Sequence, residues 1–135
     1  MKLITMPAEL DSIPALTEQV DIFLEEAECP MKAQMQLDIA IDEIFSNIAH
    51  YAYGADHGMA DVQIERVTDP DGVIIRFMDS GQPYNPLLHE NPDITLAAEE
   101  RDIGGLGIFM VKKTMDGMEY EFKDNKNILT IRKNF

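Results

Sequence analysis

The spacing of hydrophobic and polar positions along the first half of the chain predicts one strand followed by two helices. The pattern predicts a strand at 2–6 and a helix over about 12–28, with Ser12 as its cap and Pro14 in its first turn. A longer helical pattern follows and ends at about 53, where Gly54 is expected to stop it. The apolar stripe of this second helix consists of Met35, Leu37, Ile41, Ile44, Ile48 and Ala52.

The second half of the chain predicts two pairs of strands, with one irregular stretch and one helix between them. Alternating residues at 61–67 and 73–78 flank the sequence Asp-Pro-Asp-Gly, which is typical of a turn, so they are expected to form a hairpin. The pattern is irregular over 79–107, apart from a short helical tendency around 94–100, and a helix is predicted at 106–115. The final strands are predicted at 119–123 and 128–133, around a turn formed by Asp124, Asn125 and Lys126.

This order of elements is typical of the α+β class. It predicts a mixed, mostly antiparallel sheet with helices on one face. A length of 135 residues suits one domain, and neither a repeat nor a linker divides the chain, so a single domain over 1–135 is expected.

The charge of the chain limits the classes of partner that it can bind. Eleven basic residues stand against 25 acidic ones, and the formal net charge of −14 would repel a nucleic-acid backbone. The longest apolar run, at 108–111, is far shorter than the roughly 20 residues that span a bilayer. Cys29 is the sole cysteine, which excludes an intrachain disulfide. We therefore expect a cytoplasmic protein without a direct nucleic-acid or membrane partner.

Two polar residues border the apolar stripe of the long helix. Glu43 and Asn47 are four residues apart and therefore share one helix face. A carboxylate there could accept a proton from a hydroxyl or a water molecule, and a carboxamide oxygen suits Mg²⁺. Taken alone, such a pair is more typical of a solvated helix edge.

A second polar feature stands where the strand 73–78 ends. Asp79 could accept a hydrogen bond from the exocyclic amine of a base, and Gly81 would let a planar ligand lie close to the backbone. The alternative is an ordinary turn in which Asp79 bonds its own loop.

A third feature is the glycine-rich run that leads into the next helix. Backbone amides freed by glycines at a helix N-terminus could hold phosphate, and the same glycines could act as hinges of a lid. A tight helix entry is the alternative explanation. The run consists of Gly104, Gly105, Leu106 and Gly107.

Together, and in this order, the three features resemble the nucleotide-binding boxes of the GHKL ATPase superfamily, named for gyrase, Hsp90, histidine kinases and MutL. The segment 40–53 is similar to the E-x-x-x-N-x-x-x-H/Y box of the bacterial anti-sigma-factor serine kinases. The segment 79–86 resembles their D-x-G-x-P-[FY]-[DN]-P adenine box, and 104–107 resembles their G-x-G box. Residues 127–131 are similar to their last strand. The likeness covers nearly the whole chain and implies a two-layer α/β sandwich of the Bergerat type.

The resemblance also implies a role for each matching residue. Asn47 would coordinate Mg²⁺, Asp79 would bind the adenine amino group of ATP, and Gly81 would pack near the base. Glu43 would be the general base. The ATP-binding lid would include Gly104, Gly105, Leu106 and Gly107.

The same branch of the superfamily implies a protein kinase that regulates transcription by partner switching. Such a kinase transfers the γ-phosphate of ATP to a serine of a STAS-type anti-sigma antagonist, and the unphosphorylated antagonist displaces a sigma factor from it. A homodimer, which some relatives form, stays open. Two other functions also stay open, namely a nucleotide-regulated binding module that transfers no phosphate and a simple ATPase that activates water.

Overall fold

The computed structural model describes residues 1–54, 56–88 and 105–135 of the chain. Within them, three helices and five strands form two layers. The helices are α1 (Ile13–Glu26), α2 (Met31–Tyr51) and α3 (Gly105–Thr114). The strands are β1 (Lys2–Pro7), β2 (Met59–Val67), β3 (Gly72–Asp79), β4 (Gly117–Lys123) and β5 (Lys126–Asn134).

The five strands form one sheet in the order β1-β2-β3-β5-β4, and each neighbouring pair is antiparallel. The predicted α+β fold is confirmed, with the sheet at the antiparallel end of the range expected. The register between β3 and β5 pairs Asp79 with Asn127. The last residue of the central strand therefore lies beside the second residue of β5.

The hydrophobic core lies between the helices and one face of the sheet. Its fully buried side chains come from both layers, and each contributes about 1.5–3 kcal/mol through its removal from water. The long helix α2 contacts both α1 and α3, so one flank of it faces α3. The largest of these side chains include Leu16, Leu37, Phe45, Ile64, Phe77, Ile108 and Ile131.

Two details of the sequence prediction are wrong. Met35, which was expected in the buried stripe of α2, is 58% exposed, because it lies about 200° around the helix from the buried Leu37. Ser12 occupies the N-cap position of α1 but makes no capping hydrogen bond. It has helical backbone angles and follows a 3₁₀ turn, and its hydroxyl donates to the carbonyl of Pro7 at 2.8 Å.

The turn between β4 and β5 is tighter than predicted. Asp124 and Asn125 both have positive φ angles, 54° and 61°, which are typical of the type I′ turn that joins twisted strands through two residues. As a result β5 begins at Lys126, a residue that was expected in the turn, and Asn127 becomes part of the sheet.

Part of the irregular stretch is also defined. Its first residue, Asp79, completes β3, and a 3₁₀ turn follows at Pro86–Leu88. The helical tendency around 94–100 lies outside the described residues. In the parts of the chain that are described, no helix combines the length and the apolar character needed to cross a membrane.

Candidate functional site

A cavity that opens to solvent lies between α2, the centre of the sheet and the first turns of α3. Much of its wall is apolar, with Ile44, Phe77 and Leu129 among the lining residues. The amides of Asn47 and Asn127 and the carboxylate of Asp79 also line it. A mainly apolar cavity with a few convergent polar groups is typical of a small-molecule site.

Asp79 is 6% exposed, and its two carboxylate oxygens have different surroundings. Its Oδ1 accepts hydrogen bonds from the backbone N–H of Gly81 and from Asn127 Nδ2, each at 2.9 Å. From the described residues, no hydrogen bond reaches Oδ2. Asp79 therefore bonds its own loop and also keeps one oxygen available to a ligand in the cavity.

The loop after β3 is held at each of its backbone amides. Pro83 has no N–H, and the other four residues from 80 to 84 all donate, three of them to side chains and one to the end of α2. The pairs are Ser80 N to Tyr53 Oη (2.9 Å), Gly81 N to Asp79 Oδ1 (2.9 Å), Gln82 N to Ala52 O (2.8 Å) and Tyr84 N to Asn127 Oδ1 (3.1 Å). The loop is thus fixed to both layers before any ligand binds.

Gly81 is required where this loop crosses the end of α2. A Cβ at this position would overlap the backbone of Ala52, whose carbonyl accepts the next amide of the loop. Close backbone approach therefore gives a reason for glycine that is separate from the predicted contact with a planar ligand.

Asn47 is placed by α2 with its side chain toward the cavity. It is 8% exposed, so it does not lie on a solvated helix edge. Within the described chain no hydrogen bond to its side chain occurs, although a buried amide ordinarily has a partner. Its carboxamide oxygen is the kind of hard ligand that Mg²⁺ takes, so the residue fits the predicted metal contact.

A metal ion at Asn47 would take most of its ligands from elsewhere. Among the residues that the structure describes, no three His, Cys, Asp or Glu side chains are grouped so as to hold a metal ion. Mg²⁺ commonly binds to one or two protein oxygens together with water and substrate phosphates. This chemistry agrees with a single amide ligand beside a phosphate-bearing ligand.

Glu43 lies one helical turn before Asn47, on the flank of α2 that faces α3. A Cβ at Gly107 would overlap its carboxylate, so this glycine lets the first turns of α3 approach Glu43 closely. Burial raises the pKa of Glu43, and the negative charge of Asp42 raises it further. A half-buried carboxylate with a raised pKa is a stronger proton acceptor than a solvated one.

Tyr84, which lines the cavity, is paired with a second tyrosine. The rings of Tyr51 and Tyr84 stack with their centroids 5.1 Å apart, which connects the end of α2 to the loop after β3. Burial raises the pKa of Tyr84, with further contributions from Tyr51 and from the charge of Glu43. The carboxylate of Glu43 is therefore near enough to Tyr84 for its charge to act on the phenol.

The glycine-rich run is described only in part. Gly105 is the first residue of α3 and Gly107 the third, so both lie in its first turn, where helical N–H groups lack partners within the helix. Gly104 lies outside the described residues, and Leu106 is described as part of α3. The role of this run in binding phosphate stays a prediction.

Sequence reasoning missed the part that Asn127 plays. It identified this residue only as a member of the last strand, whereas the structure places its amide at the centre of the polar cluster around Asp79. A signal was present, because positions 127, 129 and 131 share the inward face of β5 and only the first is polar. The hydroxyl of Tyr120, which donates to Asn127 Oδ1, carried no comparable signal.

A two-layer α+β fold with a cavity between its long helix and its sheet is found in a known family of proteins. Residues 6–133 match the family described as the histidine kinase-like ATPase domain, and the chain belongs to this family. The match confirms the GHKL resemblance seen in the sequence.

Two known proteins illustrate the relationship. The chain is 25% identical over 100 residues to the serine/threonine-protein kinase BtrW of Bordetella bronchiseptica, a match that covers 74% of this chain and 70% of BtrW. Its fold is similar to that of the Acinetobacter baumannii histidine kinase AdeS, with a TM-score of 0.51 and 12% identity over 99% of this chain and 68% of the other. At that identity the second likeness concerns the fold alone.

Proposed function

We propose that this chain binds ATP with Mg²⁺ in the cavity and transfers the γ-phosphate to a serine of a protein partner. The observation that carries the proposal is the placement of Asp79 and Asn47 in the lining of one cavity, with Glu43 one helical turn from Asn47 and close to the start of α3. Membership in an ATPase-domain family and similarity to a protein named a serine/threonine kinase support it.

In this proposal the cavity binds the adenine base. The available Oδ2 of Asp79 would accept a hydrogen bond from the exocyclic amine, and the apolar lining would contact the faces of the ring. The phosphates would then extend toward Asn47 and the first turn of α3. Mg²⁺ held by Asn47 would neutralise phosphate charge, which matters in a chain whose formal net charge is −14.

Glu43 would take the proton from the attacking hydroxyl. The serine oxygen forms a bond to the γ-phosphorus, the bond from that phosphorus to the β–γ bridging oxygen breaks, and ADP leaves with the electron pair. Phosphoryl transfer depends mainly on positioning and charge neutralisation, so one base, one metal ligand and helix amides suffice for the chemistry. The raised pKa of Glu43 favours this role.

The protein partner is proposed to be a STAS-type anti-sigma antagonist, with a sigma factor as the alternately bound protein. The sequence resemblance to anti-sigma-factor kinases supports this assignment. Neither Lys nor Arg occurs between Leu3 and Met31, so a sigma factor that contacts α1 would meet no basic side chain there.

Calorimetric titration with ATP, with and without Mg²⁺, tests the nucleotide site. We expect magnesium-dependent binding that is weakened in Asp79→Asn and in Asn47→Ala. Asp124→Asn, a matched substitution in the exposed β4–β5 turn, should bind like the wild type. A folded wild-type chain that shows no heat of binding with ATP would exclude the proposal.

The alternatives differ in where the phosphate goes. Incubation with radiolabelled ATP and purified STAS proteins should label a serine of the partner, and Glu43→Gln should lose the label while still binding ATP. Steady ADP production in the absence of any protein partner would instead indicate a simple ATPase. A partner complex that ATP dissociates without phosphate transfer would indicate a nucleotide-regulated binding module.

A further inference from the structure

The side-chain amide of Asn127 uses its whole hydrogen-bonding capacity. Its Nδ2 donates to Asp79 Oδ1 and to the carbonyl of Gln82, each at 2.9 Å. Its Oδ1 accepts from the N–H of Tyr84 at 3.1 Å and from the hydroxyl of Tyr120. An amide has two N–H donors and two acceptor lone pairs, so none is left for a ligand.

The hydrogen-bonding groups around position 127 require an amide side chain. An aspartate at 127 would place a second acceptor against Asp79 Oδ1, and the two carboxylates would repel each other. A serine supplies one donor where two are needed. A reversed amide would also fail, because its NH₂ group would then face the N–H of Tyr84.

The amide of Asn127 fixes the orientation of the Asp79 carboxylate. The two residues are partners across β3 and β5, and Asn127 is 6% exposed, so solvent cannot replace its hydrogen bond to Oδ1. With Oδ1 engaged by Asn127 and by Gly81, the oxygen left for a ligand is always Oδ2. The same amide holds the loop at Gln82 and Tyr84, so carboxylate and loop are fixed as one unit.

We infer that Asn127 is a positioning residue that acts through Asp79 and gives the cavity its selectivity for a purine with an exocyclic amine. This inference rests on the proposed function, since it takes the ligand of Asp79 to be the base of ATP. Asn127 itself has no hydrogen-bonding capacity left for a ligand. Its contribution should therefore depend on whether the nucleotide carries the amine that Asp79 recognises.

The test compares ATP with purine riboside 5′-triphosphate, in which hydrogen replaces the amine at C6. Calorimetric titrations in the presence of Mg²⁺ give the ratio of the two dissociation constants for each protein. For the wild type we expect ATP to bind about 10- to 100-fold more tightly, since the analogue leaves the acceptor on Asp79 unpaired. In Asn127→Asp, ATP should weaken about 10-fold or more while the analogue changes little, so that the ratio approaches one.

Two further variants keep the result interpretable. Asn127→Ser retains one donor and should give an intermediate ratio, and it carries the test if circular dichroism shows that Asn127→Asp is unfolded. Asn134→Asp is the matched control, because this amide lies at the far end of β5 and accepts from Arg132 at 2.8 Å. It should leave the ratio at the wild-type value.

The outcomes separate the inference from the proposed function. If both nucleotides weaken by the same factor in the Asn127 variants, or if the ratio is unchanged, Asn127 has a structural role only and the inference is overturned. If the wild type binds both nucleotides equally, the amine is not recognised and both the inference and the proposed role of Asp79 fail. If the wild type binds neither nucleotide, the proposed function itself fails.

Discussion

The two ends of the cavity hold their polar side chains in different ways. At the sheet end, Asp79 and Asn127 belong to a cluster in which one amide makes four hydrogen bonds. At the helix end, Glu43 and Asn47 are carried by the rigid α2, but hydrogen bonds from the described residues do not reach their side chains. As far as the described residues go, one end is fixed by polar contacts and the other by packing.

This difference agrees with the two tasks that the proposed function requires. Recognition of a base needs an acceptor whose direction is set before binding, because ordering it afterwards would reduce affinity. A metal ligand and a proton acceptor instead need unused lone pairs, which hydrogen bonds from the protein would occupy. The ends should accordingly respond to substitution in separable ways, through affinity at Asp79 and through rate at Glu43.

Glu43→Gln should produce the largest difference between the effect on transfer rate and the effect on ATP affinity. Removing the proton acceptor is expected to lower phosphoryl transfer about 10²- to 10⁴-fold, while the dissociation constant for ATP stays within about threefold of the wild type. Because the pKa of Glu43 is raised, its ionised form is destabilised by burial, and the glutamine variant should be at least as stable as the wild type at neutral pH. Single-turnover kinetics and calorimetry measure the two effects. An equal loss in rate and affinity would contradict the separation.

Gly107→Ala should disturb the helix end without removing a functional group. The added methyl would overlap the carboxylate of Glu43, so either that side chain or the first turn of α3 must move. A displacement of about 1 Å is expected to lower the transfer rate about 10- to 100-fold. Gly117→Ala is the matched control, since its Cβ would make only an ordinary contact of 3.5 Å with Arg132. Similar rates in both variants would show that Gly107 does not position Glu43.

The pH dependence of transfer reports the surroundings of Glu43. The base must be ionised to accept a proton, so the rate should fall about tenfold per pH unit below its raised pKa, at pH values where an ordinary glutamate is still ionised. Asp42→Asn removes one cause of the shift and should move this limb of the profile to lower pH. A profile identical to that of the wild type would exclude Asp42 as a contributor.

Tyr120→Phe should produce the smallest effect, at the sheet end. It removes the hydroxyl that donates to Asn127 Oδ1, while the N–H of Tyr84 still donates to the same atom. We expect a loss of about 0.5–1.5 kcal/mol in the free energy of unfolding and a change of about threefold or less in ATP affinity. Chemical denaturation and calorimetry measure both. A much larger loss of affinity would indicate that the hydroxyl contacts the nucleotide directly.

Most helices and strands could be predicted from the sequence because each depends on residues that are close together in the chain. The repeats of α1 and α2 and the turn chemistry of the β2–β3 hairpin each depend on a few consecutive positions. Met35 is the informative exception, since it was included in the stripe on its hydrophobicity although its position around the helix faces away from Leu37. Its hydrophobic character alone led to the wrong assignment to the buried stripe. Its angular position around the helix axis would have placed it on the exposed face.

The candidate site divides in the same way. Glu43 and Asn47 were candidates from their spacing and Asp79 from its place at a strand end, and the family resemblance supplied their predicted roles. The roles of Asn127 and Tyr120 depend on how β3, β4 and β5 are ordered in the sheet, which no local pattern states. The steric reasons for Gly81 and Gly107 likewise come from Ala52 and Glu43, which are distant in the sequence.

The fully bonded loop at 80–84 also bears on how the protein opens. Three of its four amides can exchange hydrogen with solvent only after the bonds to Tyr53, Ala52 and Asn127 break, and these residues belong to both layers. Exchange at this loop therefore reports separation of the helical layer from the sheet rather than motion of a surface loop. The hydrogen-exchange protection factors of this loop should approach those of β3. Exchange at an irregular segment would then measure the free energy of opening of the whole domain.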